Sequence, residues 1–188
     1  AGIILLGFCA GIMPQEVSAA ENLKTSEKCI ALIKEFEGFS ARAFYDYNQY
    51  SIGYGTACKY NEYPNGITQE KADELLRAEL KKSEEKVNAF ASKYGLRLSQ
   101  QQFDALMSFT YNLGTNWMNN ESTFRTAVIQ GAKGNDFIFA ITMWCNAGGK
   151  VITGLVQRTE ENGIVTYTVT SSTGRTALSL SDAFFEVS

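Results

Sequence analysis

A mixed α+β fold, mainly helical, is predicted for this 188-residue chain, and three stretches predict it. AFYDYNQYSIGYG (43–55) has the aromatic alternation and glycines of a β-hairpin. Residues 69–93 carry an apolar stripe among charges at helical spacing. GIVTYTVTSSTGRTALSLS (163–181) alternates β-branched and polar residues around a Ser/Thr/Gly turn. The expected architecture is a small β-hairpin lobe, joined by a long helix to a helical lobe, with an atypical C-terminal β-rich tail.

The elements follow in chain order. Residues 21–28 are polar and read as a linker into a first helix. Thr25 or Ser26 caps that helix, Ile30, Ile33 and Phe36 repeat along it, and Gly38 ends it. The hairpin turns around Asn48-Gln49, and Gly53 and Gly55 indicate close backbone approach or special dihedrals. Residues 57–66 form a loop with Pro64-Asn65-Gly66 as a turn. Thr68 caps the long helix, whose stripe is Ala72, Leu75, Leu76, Leu80, Val87 and Phe90. Ser99 and Gln102 make a capping box for the next helix, which buries Phe103, Leu106, Met107 and Thr110 and stops at Asn112-Leu113-Gly114. Two more helices are expected near 122–130 and 135–146. The alternating stretch after Glu161 predicts a hairpin over 163–181.

Composition narrows the chemistry. The chain is 45% hydrophobic with a net charge of −3, so one well-filled core is available and no basic excess points to nucleic acid. It contains no histidine, which excludes His-dependent triads and His-ligated zinc hydrolases. No closely spaced metal-ligand set is present, and neither metal nor cofactor is expected. Residues 1–20 stand apart: AGIILLGFCAGIM is apolar, Pro14 breaks it, and VSAA offers small residues. That pattern reads as a signal peptide or a weak membrane anchor, and so as export to a periplasmic or extracellular space. Thirteen apolar residues are short for a membrane span. Without Cys9, the thiols Cys29, Cys58 and Cys145 allow one disulfide. Cys29–Cys58 is the pairing favoured here, because each flanks the hairpin.

The chemistry that remains is carried by carboxylates. Glu37 ends the first helix between Phe36 and Phe39, where burial and the helix C-terminus both disfavour a negative charge. Asp46 lies nine residues on, in a polar hairpin with Asn48, Gln49 and Ser51, where it stays ionised. Two carboxyls in such unlike settings make an acid and its partner, the arrangement that cleaves glycosidic bonds. Two solvated surface charges are the alternative.

Phe36-Glu37-Gly38, Ala43-Phe44-Tyr45-Asp46 and Ser51-Ile52-Gly53-Tyr54-Gly55-Thr56 together resemble the active-site segment of phage-type lysozymes, glycoside hydrolase family 24. GITQEKADELL (66–76), LSQQQFDALMSFTYNLG (98–114) and WCNAGGKVITGLVQR (144–158) continue the likeness in order, so that it covers about residues 26–158. The resemblance implies a lysozyme-like catalytic domain over 21–161, after the 1–20 segment and before a 162–188 tail. It implies a monomeric muramidase that cuts peptidoglycan between N-acetylmuramic acid and N-acetylglucosamine. Glu37 would be the general acid. Asp46 would act on water or on the developing cation, and Ser51, in place of the family's Thr, would keep the hydroxyl that holds the water. Three features depart from the family. The turn after Asp46 is one residue shorter and lacks its glycine, Thr56 stands where His is usual, and QRTEENGIVTYTV replaces an Arg- and Glu-bearing helix.

Further positions have two readings each. Asn112 either holds the catalytic Glu by its amide or simply stops a helix. Arg158 either sits near Glu37 or forms a surface ion pair. Tyr54 and Tyr50 either stack on sugars or pack within the hairpin, and Trp117 and Trp144 read as core. The charges from Glu79 to Lys86 read as a solvated helix face. Two other functions compete with the muramidase: a catalytically inactive wall-binding module, and a lytic transglycosylase, which needs only the acid.

Overall fold

The computed structural model describes residues 22–46, 49–119, 121–132, 136 and 140, with the backbone alone for Asp46 and for strands 155–161, 164–170 and 176–180. The expected targeting segment and Trp144, Cys9 and Cys145 lie outside the described residues. No helix among those described is long and apolar enough to cross a membrane.

Helix α1 (Glu27–Glu37) starts where the Ser26 hydroxyl accepts from the Cys29 N–H, and Gly38 closes it by donating to Lys34 O. The segment before it is no free linker. Leu23 exchanges two hydrogen bonds with the Asn88 side chain, Thr25 N–H donates to Glu84 at 2.7 Å, and Ser26 gives both its N–H and its hydroxyl to Asp104. Its backbone groups are satisfied by side chains of the helices rather than by water.

Strands β1 (Ser40–Asp46), β2 (Gln49–Gly53) and β3 (Thr56–Cys58) form one antiparallel sheet in the order β1-β2-β3. Tyr45 pairs with Tyr50 and Asp46 with Gln49, so Gln49 belongs to the second strand and not to the turn. Strand β3 was not expected: three residues are too few for an alternation to show. The Pro64-Asn65 turn is closed by Gly66 N–H donating to Tyr63 O.

Helix α2 (Gln69–Lys93) is capped by Thr68 and buries Ala72, Leu76, Leu80, Val87 and Phe90, while Leu75 is only half-buried. Helix α3 (Gln100–Leu113) has both halves of the Ser99/Gln102 capping box. A 3₁₀ turn (Asn116–Met118) and helix α4 (Thr123–Gln130) follow. Asp136 and Ala140 are helical, and they are all that is described of the helix expected over 135–146. The core gathers on Trp117, which is fully buried against Phe90, Phe109 and Phe124 and donates its indole N–H to Thr110.

The C-terminal region is a second antiparallel sheet, β4 (Leu155–Glu161), β5 (Ile164–Thr170) and β6 (Thr176–Leu180), in that order. The two-stranded hairpin expected there is the β5–β6 half of it. β4 takes in Arg158, which pairs with Tyr167.

The Cys29–Cys58 disulfide is not formed, and both thiols are free. Cys29 is buried and donates to Asp104 O in α3, whereas Cys58 sits on the sheet opposite Tyr50. Flanking the same stretch in sequence placed them on different elements.

Candidate active site

Glu37 is the last residue of α1 and is half-buried. What it meets is the β2–β3 turn. A Cβ added to Gly55, at φ +90°, would lie 3.1 Å from Glu37 Oε2 and 3.8 Å from the Tyr111 hydroxyl. Glycine adopts that dihedral readily, and a side chain there would press on the carboxylate and push it aside by a few tenths of an ångström.

Phe36 and Phe39, the aromatics expected around the acid, are themselves 39% and 38% exposed. The wall comes from α3, where Tyr111 donates its hydroxyl to Tyr54 O at 2.6 Å. Burial pushes the Tyr111 phenol well above its ordinary range, and the charge of Glu37 adds to that, against a smaller opposing effect of the Thr56 hydroxyl. Tyr111 is thus neutral at any working pH. Thr56 Oγ1 is itself buried beside it, without a hydrogen bond of normal geometry. The sequence carried one signal for Tyr111: it lies four residues beyond buried Met107 on the same side of α3.

The other expected site residues are placed as follows. Asp46 ends β1, its Cα paired with Gln49, two positions from the Phe44–Ser51 pair. Ser51 is 1% exposed in mid-β2, between Phe44 and Ala57. Asn112 donates its amide to Ser108 O in its own helix. Tyr54 is 6% exposed, with Phe39 tilted against its ring and Lys34 Nζ 5.1 Å from it, so burial supports packing rather than sugar stacking. Tyr50 packs between Tyr45 and Tyr60, with ring centres 5.2 Å apart in both cases. The Asp46 and Arg158 side chains lie outside the described residues.

A cavity of about 340 Å³ lies elsewhere, lined by Lys86, Phe90, Lys93, Tyr94, Thr115 and Met118 among others. Gly53 touches α2 at Ala72, and Phe90 comes 18 residues later, roughly 27 Å along the axis at 1.5 Å per residue. The cavity is therefore at the far end of α2 from the β2–β3 turn.

Comparison with known proteins agrees with this geometry. The family model for phage lysozyme matches residues 34–162. The endolysin of Bacillus phage B103 is 33% identical over 145 residues, which is 74% of this chain and 52% of that protein. The endolysin of Bacillus phage PZA is 31% identical, over 72% and 52%. The chain thus spans about half the length of these relatives. Among solved structures, an endolysin from Escherichia coli O157:H7 phage FAHEc1 aligns with a TM-score of 0.56 at 29% identity, covering 81% of this chain and 85% of that one. The muramidase domain of SpmX from Asticaccaulis excentricus aligns at 0.51 and 28%, covering 76% and 85%. With the acid-bearing helix end, the glycine turn and the long α2 all inside the matched span, the chain belongs to the phage lysozyme family.

Proposed function

We propose that the chain is a peptidoglycan hydrolase of the muramidase kind, cleaving the β-1,4 bond between N-acetylmuramic acid and N-acetylglucosamine. The observation that carries this reading is the Glu37 carboxylate set at Gly55, at the junction of a helix end and a hairpin turn. Glu37 protonates the glycosidic oxygen, and positive charge develops at the anomeric carbon. Asp46 stabilises that charge or activates the water, and the Ser51 hydroxyl holds the water. Membership of the phage lysozyme family supports the assignment, as do the muramidase and endolysin structures it resembles.

The test is digestion of purified peptidoglycan followed by mass analysis of the products. Reducing N-acetylmuramic acid ends are expected. Anhydro ends would make the protein a lytic transglycosylase, and absence of cleavage would make it a wall-binding module. Glu37→Gln should lower the rate by about 10³-fold with the fold intact, the scale of a lost general acid. Undiminished lysis by that variant would defeat the assignment.

A further inference from the structure

We propose that the cavity at the far end of α2 is a second wall-contact site, which takes a short acidic peptide with a carboxylate at each end and apolar groups between them. That chemistry belongs to the peptides that hang from the glycan of peptidoglycan, so the source of the ligand rests on the muramidase reading. The cavity measures about 340 Å³, within the roughly 300–1,000 Å³ of small-ligand sites. Lys86, Phe90 and Lys93 line it from α2 at positions i, i+4 and i+7, and therefore share one face of that helix. Phe90 and Met118 of the 3₁₀ turn are buried and make up the apolar part of the lining. Seven residues of helix set the two lysine Cα atoms about 10 Å apart, and three residues of extended peptide cover the same span.

The charge of the site is one-sided. Among the described residues that line the cavity there is no acid. Lys86 and Lys93 take part in none of the ion pairs between described residues. Arg125 of α4 adds a third cation at the Lys93 end: its Cζ lies 5.1 Å from the centre of the Tyr94 ring, its guanidinium donates to the Tyr94 hydroxyl, and Lys93 Nζ lies 5.2 Å from the same ring. Of the nearby acids, Glu84 accepts from Thr25 N–H, and Glu85 and Glu121 are exposed outside the lining. The Thr115 hydroxyl and the Asn119 amide line the cavity too and offer hydrogen bonds to peptide groups. A phosphodiester polymer would satisfy the lysines but bury nothing against Phe90 and Met118, which is why a peptide is favoured.

The ligand for the test is N-acetyl-L-alanyl-γ-D-glutamyl-Nε-acetyl-L-lysyl-D-alanine, whose only charges are two carboxylates. It is titrated into the Glu37→Gln protein, so that cleavage plays no part. NMR amide signals of Ala89, Lys93, Thr115 and Asn119 should move together. The double substitution Lys86→Gln and Lys93→Gln should weaken binding about tenfold, the scale of two exposed charge pairs, and so should amidation of both carboxylates. Both lysines are exposed and Gln is a comparable helix former, so the double variant keeps the fold. With Glu37 intact, it should raise KM on whole peptidoglycan about threefold, leave kcat unmoved, and cleave peptide-free glycan at the wild-type rate. No signal movement, binding unchanged by the double substitution, or equal binding of acetate or of a glycerol phosphate oligomer overturns the proposal. The two readings fail separately: a wild type that binds the peptide but cuts no wall defeats the muramidase, and one that cuts wall but does not bind the peptide defeats the second site alone.

Discussion

At the scale of single residues, two glycines separate the effect of backbone strain from the effect of space. Gly131 ends α4 at φ +65°, and a Cβ there would meet nothing within 4 Å. Gly66 has φ +79°, and its Cβ would lie 2.6 Å from Ala41 O, the oxygen that accepts from Ile67 N–H. Gly131→Ala should therefore cost only the left-handed strain, about 1 kcal/mol. Gly66→Ala adds a collision with backbone that cannot rotate away, for a total of about 3 kcal/mol. Urea midpoints of the two variants check the difference; equal losses would show that the Ala41 contact is not rigid. The Pro64-Asn65-Gly66 motif announced a turn in the sequence. It could not announce that the turn closes on β1, because that contact joins residues 25 positions apart.

At the scale of elements, legibility followed locality. The starts of α1, α2 and α3 were readable because Ser26, Thr68 and Ser99 bind backbone N–H groups within their own first turns. Strand β4, the free thiols and Tyr111 were not, since each depends on a partner distant in sequence. The same holds for the ionic link between α1 and α2. Arg77 makes a bidentate pair with Glu27 at 2.7 Å and a further bond to Asp73, which also binds Lys34. The Lys34 and Arg77 cations hold the Asp73 carboxyl below its ordinary range. A depressed folded-state value means that this contribution is complete above the unfolded value of 3.8 and is lost as pH falls through the folded one. Wild-type stability should accordingly fall more steeply than that of Asp73→Asn as pH drops below about 4, the edge set by the unfolded value and the direction of the shift. Near pH 7 the wild type should be the more stable, by about 1 kcal/mol since the partners are largely exposed. Thermal melts across that range check both; parallel curves would show that the network adds nothing.

At the scale of the whole molecule, the candidate acid is held from the opposite end of its own helix. α1 has 11 residues and is about 16 Å long, with Glu37 at its last position and Ser26 at its cap. The cap is anchored by Asp104 of α3, whose carboxylate accepts from the Ser26 N–H at 2.9 Å, the Ser26 hydroxyl at 2.6 Å and the Gln100 amide at 3.0 Å. At its other end α3 carries Tyr111, the residue that walls the acid. The two helices therefore form a frame, tied at one end by Asp104 and meeting at the candidate site at the other. Asp104→Ala removes the tie and leaves the Ser26 N–H without its partner, a loss of about 2 kcal/mol for hydrogen bonds to a charged group. Amide exchange at Cys29 and Ile30 should quicken. If the frame is rigid, kcat/KM on peptidoglycan should fall as well, although Asp104 has no contact with Glu37. Faster exchange with unchanged kcat/KM would show that the Gly55 turn and Tyr111 hold the acid without help from the far end of α1.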